Sequence, residues 1–146
     1  KAPSAGATFT VQSAGLPISP AMNNPDAYAT ASITLTDVGS NGATLTGLEA
    51  GGKVFEARYN TTVAWADLVN GLTALPGPSI TDDDRKPALP TQYQVIPASV
   101  SEILSEFKFK LSGGDIASGT GTFVIVPEPS TIILMLLGLA GLIRRR

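Results

Sequence analysis

Polar and apolar residues alternate along most of this chain, and the repeat is two. In "AYATASITLTDV" Ala29, Ala31, Ile33 and Leu35 fall on one face while Tyr28, Thr30, Ser32, Thr34 and Thr36 fall on the other, the pattern of an antiparallel strand with one side buried and one in water. "ATFTVQSAG" alternates around Phe9 and Val11 and predicts a short first strand; "LPISPAMNNPD", with three prolines and two asparagines, predicts the loop after it. "GSNG" turns the chain. "ATLTGLEA" and "KVFEARYN" then read as strands on either side of Gly51-Gly52, a glycine pair suited to the positive backbone angles of a tight hairpin.

The period changes once. Val63, Trp65, Leu68, Val69 and Leu72 space like one face of a helix, with Thr61 or Thr62 placed to cap its start and Gly71 its end. This predicts one short helix over an edge or mouth of the sheet. "ALPGPSITDDDRKPALPTQ" carries four prolines and a charge cluster and predicts a long exposed loop. "YQVIPASV" is an edge strand limited by Pro97. Phe107, Phe109 and Leu111 alternate with Glu106, Lys108 and Lys110, predicting a turn and then a strand; "SGGD" is a hairpin turn and "IASGTGTFVIV" the last strand. The expected fold is mainly β: an antiparallel, sandwich-like domain over residues 1–126 with one short helix. A C-terminal segment, 127–146, follows with a single transmembrane helix over about 130–143.

Composition narrows the chemistry. The 146 residues include 15 glycines and 11 prolines but neither cysteine nor histidine, which removes the usual nucleophile, general base and metal or haem ligands. No cofactor and no metal are expected. Through Pro127 there are seven Lys/Arg against eleven Asp/Glu, with no basic stripe to neutralise phosphates, so nucleic acid is not an expected partner. "KAPSAGATFT" offers no apolar core for a signal peptide, so a leader would have been removed or lie before Lys1.

Each candidate site has a plainer explanation. Asp82, Asp83 and Asp84 supply calcium-like oxygen ligands, but three adjacent side chains cannot converge, and a solvated loop explains them. Asn60-Thr61-Thr62 satisfies the N-glycosylation pattern and equally well caps a helix. Trp65 with Tyr59 or Tyr28 could stack on a sugar, whereas its spacing places it in a core. Without histidine only carboxylate pairs or Ser–Lys remain for catalysis, and no spacing singles out such a pair. No enzymatic activity is expected, and a carboxylate-based hydrolase is the minor alternative.

The tail departs from all of this. "VPEPSTIILMLLGLAGLIRRR" contains thirteen uncharged residues from Thr131 to Ile143, about 20 Å of helix against a hydrocarbon layer of roughly 30 Å. Ser130 and the snorkelling Arg144, Arg145 and Arg146 extend a tight span. The terminal arginines place that end in the cytoplasm and residues 1–126 outside. Gly138, Ala140 and Gly141 are small enough for close helix approach.

In order and composition these parts resemble the PEP-CTERM sorting signal of bacterial exosortase systems: Pro127-Glu128-Pro129 with Ser130, an apolar run, and an arginine cluster. The resemblance implies that Pro127, Glu128 and Pro129 are recognised by exosortase, a cysteine-dependent, transpeptidase-like membrane enzyme that processes the tail near the motif. It implies that residues 130–143 are the anchor and Arg144–Arg146 the stop signal. Outer domains in such proteins are diverse, rich in Thr, Ser and Gly, and associated with exopolysaccharide and biofilm matrix. Two roles follow. One is a non-enzymatic structural protein of the bacterial surface, anchored in the inner membrane with its domain periplasmic or released after processing. The other is a single-span accessory subunit kept uncut among neighbouring transmembrane subunits, for example of a photosynthetic or respiratory complex. The lipid bilayer is a partner in both.

Overall fold

A computed structural model describes residues 1–128. The expectations for Pro129, the helix over 130–143, Gly138, Ala140, Gly141 and the three arginines lie outside the described residues. Among the described residues eleven strands form two antiparallel sheets: β1 (Ala7–Gln12), β2 (Leu16–Asn23), β3 (Asp26–Thr36), β4 (Ala43–Gly47), β5 (Lys53–Tyr59), β6 (Val63–Asn70), β7 (Leu72–Ala74), β8 (Ser79–Lys86), β9 (Gln94–Val95), β10 (Ser99–Leu111) and β11 (Ile116–Val126). Among the described residues no helix is long and apolar enough to cross a membrane.

Several short strands are consecutive pieces of one lane. β10 is the spine of the first sheet. One of its edges pairs with β5 at Ile103–Phe107 and with β4 at Phe109–Leu111, and its other edge carries β1 and β2 end to end. β6 and β7 likewise lie alongside β5 and β4. In the second sheet β3 is central, with β11 on one side and β8 followed by β9 on the other. The two sheets share one core containing Phe55, Ile33, Leu35, Leu45 and Leu111. Across it the Trp65 ring of β6 stacks on Phe123 of β11 at 5.4 Å.

The alternation of β3 is realised residue by residue: Ala27, Ala29, Ala31, Ile33 and Leu35 are buried while the positions between them are not. Three expectations are corrected first. The helix over residues 63–72 is strand β6 up to Asn70, with Leu72 opening β7, because a bulge opposite Ala57/Arg58 and a left-handed Val69 (φ 62) shift which side chains turn inward. The buried set Trp65, Ala66, Leu68 and Val69 then imitates a helical stripe. Gly51-Gly52 is not a hairpin: both residues have positive φ, but they form a short 3-10 detour, Ala50–Gly52, between collinear β4 and β5. The hairpin here is β5–β6, turned by Asn60 (φ 49) and Thr61 (φ 68). "SGGD" carries the chain from one sheet to the other, since β10 and β11 belong to different sheets.

Two expected loops are strands. "LPISPAMN" is β2, tolerated with its prolines because it is an irregular edge strand whose register slips against Val100/Glu102. "SITDDDRK" is β8, an edge strand whose inward positions are charged. Asp82 accepts from the Asn70 backbone N–H (2.8 Å), Asp84 pairs with Lys53 (3.7 Å), and Lys86 donates to the Trp65 carbonyl. Charges turned inward at an edge fasten one sheet to the other and discourage further strand pairing.

Candidate functional site

The sorting segment begins where the second sheet ends. β11 pairs with β3 through eleven consecutive rungs, from Ile116↔Thr36 to Val126↔Asp26. The next residue is exposed Pro127, which has no N–H to offer a further rung. Half-buried Glu128 follows. No linker separates the ladder from the motif.

The three aspartates do not converge. Asp82 and Asp84 turn toward the first sheet, and Asp83, between them, lines a hollow on the outer face of the second. Among the described residues no group of His, Cys, Asp or Glu is placed to hold a metal ion. Trp65 is buried against Phe123 with the Lys86 ammonium 5.0 Å from its ring centroid, so it offers no sugar-stacking surface. Asn60 is tied into the turn, donating to the Ser99 carbonyl and accepting from Ser101 N–H.

The outer face of the second sheet is a regular array of hydroxyls. Thr34 bonds Thr81 at 2.7 Å and Thr36 bonds Ser79 at 2.9 Å, while Ser118 and Thr120 stand opposite Thr34 and Ser32 on β11. A hollow of about 430 Å³ lies here between Thr30, Ser32, Thr120, Asp83 and Arg85, with Leu89 beside it. The alternating Thr and Ser of β3 announced this face in the sequence. Its β8 half was hidden, because "TDDDR" was expected to be loop.

A second polar group was not foreseen. Arg58 on β5 meets three carboxylates: it donates to Glu56, and its Nη2 lies 3.7 Å from Glu49 and 3.8 Å from Glu106. All three acidic side chains are nearly inaccessible. Burial raises the Glu49 carboxyl above its ordinary range, and hydrogen bonding and repulsion from Glu106 push the same way. Their sequence separation, 49 against 106, gave no signal. None of these carboxylates lines the hydroxyl hollow.

Comparison with protein families matches residues 126–146 to the PEP-CTERM protein-sorting motif. No curated protein and no solved structure matches the chain. The chain thus carries the C-terminal sorting motif of an exported protein, which couples it to exosortase-like sorting machinery.

Proposed function

We propose that this chain is a non-enzymatic surface protein, held in the membrane by its apolar run 131–143 and presented to an exosortase-like enzyme through Pro127, Glu128 and Pro129. Its sandwich-like β domain is the delivered cargo. The observation that carries the reading is the match at 126–146, whose first residue, Val126, is also the last residue of the sheet. Two prolines around Glu128 disfavour helix and hold the motif extended, the form in which a processing enzyme takes a peptide. A structural role is further supported by the polar groups themselves: the carboxylates of Glu49, Glu56 and Glu106 are gathered around Arg58, away from the open hydroxyl face.

Intact-mass measurement of the protein from its native membrane tests this. A C-terminus near Pro129 is expected. A mass retaining Arg146 would overturn processing and make the chain a resident single-span subunit, to be identified by the proteins that purify with it.

A further inference from the structure

We infer that, before processing, while the anchor is still attached, the end of the domain formed by Tyr28, Tyr93, Val95 and Val126 rests on the lipid headgroup layer, with Arg85 among the headgroups, so that the unprocessed domain stands upright on the bilayer. This rests on the anchoring proposed above. Only Pro127, Glu128, Pro129 and Ser130 separate Val126 from the uncharged run, and the five steps from Val126 to Thr131 span at most about 18 Å even fully extended. Whatever lies beside Val126 is therefore held within that distance of the hydrocarbon.

The ladder names those neighbours. Val95, Asp26 and Val126 form one row across three adjacent strands, roughly 10 Å wide at the usual strand spacing. The next rows bring Tyr28 opposite Val124, with the Tyr93 ring edge-on to Tyr28 at 5.5 Å and the Arg85 guanidinium 5.9 Å from the Tyr28 centroid. Tyr93 and Val95 are 40% and 44% exposed, apolar side chains that the domain leaves partly uncovered. Tyrosine with a neighbouring arginine is the chemistry favoured at a membrane interface, where the ring meets the acyl boundary and the cation meets phosphate.

The opposite end is correspondingly remote. β3 runs ten residue steps from Asp26 to Thr36, about 33 Å. Beyond it the Asp37 carboxylate gathers the backbone N–H groups of Gly39, Gly42 and Gly77, and Leu75 projects into solvent at 75% exposure. The distal turns face away from the lipid.

The chain has no cysteine, so single labels are unambiguous. Full-length Val95→Cys, Tyr93→Cys and Leu75→Cys, each carrying an environment-sensitive fluorophore, would be reconstituted in phosphatidylethanolamine/phosphatidylglycerol vesicles containing a headgroup-level spin-labelled lipid. Flotation would be scored in parallel. Co-flotation with quenching at Val95 and Tyr93 at least several-fold stronger than at Leu75 is expected. Co-flotation with equal, weak quenching at all three sites would overturn the upright stance and leave the anchor standing. Protein that stays at the bottom of the gradient would overturn the anchor and the stance together.

Discussion

Val126 faces Asp26 in the last rung of the β3–β11 ladder, so the folded sheet extends to the first residue of the sorting motif. The sorting motif therefore begins on the last rung of the sheet.

A chain ending at Pro127 keeps every rung of that ladder and the Phe123–Trp65 stack, and its thermal midpoint is expected to match that of the intact domain. One ending at Thr122 loses four rungs and Phe123, a half-buried ring packed on the core, a loss expected to cost about 3 kcal/mol. Emission of Trp65, the single tryptophan, would stay blue in the first and shift red in the second.

Arg58 neutralises carboxylates that are almost wholly inaccessible. Arg58→Met should lower stability at pH 7 by about 3 kcal/mol, since an unpaired buried charge costs more than the pair contributes. In urea titrations the loss should shrink toward acid pH, where protonation of Glu49, whose carboxyl burial already raises, removes part of the charge left behind.

Asp37 and Glu49 should give opposite pH signatures. The Gly77 N–H foremost, with those of Gly42 and Gly39, holds Asp37 below its ordinary value of 3.8. Its contribution is therefore complete above that value and lost as pH falls through the lower folded pKa. Glu49 is raised above 4.5, chiefly by burial; its contribution is complete below that value and lost as pH rises through the folded pKa. Denaturant midpoints measured against pH should lose part of the acid limb in Asp37→Asn and part of the decline above pH 4.5 in Glu49→Gln.

Two glycines permit close approach of chain segments. A Cβ at Gly47 would lie 2.2 Å from the Gly52 carbonyl oxygen, and one at Gly121 2.4 Å from the Phe55 ring. Gly121→Ala should cost about 1–3 kcal/mol through overpacking. Gly47→Ala should cost more, because backbone cannot swing aside as a side chain can. Calorimetric unfolding of both variants would rank them.

How much of this was legible follows from the range of each interaction. β3 was readable because alternation is local: each buried alanine or branched residue is two positions from the next. β6 was not, since its inward set depends on a bulge opposite β5 and on one left-handed valine, which belong to a pairing and not to a segment. β8 escaped for a related reason. Its inward aspartates and lysine look like loop chemistry until Asn70, Lys53 and the Trp65 carbonyl are brought against them. The glycine pair at 51–52 did show its positive φ, but whether the chain reverses there or continues was decided by β10, which takes β4 and β5 on the same edge. By itself the sequence determined the β-rich composition, the exclusion of cysteine and histidine chemistry, and the sorting motif, because such a motif is a linear signal carried by neighbouring residues. Tertiary structure alone decided which residues meet: the carboxylates around Arg58, the hydroxyl face across three strands, and the sheet rung on which the motif begins. Those contacts join residues far apart in the chain, and only folding sets their distance.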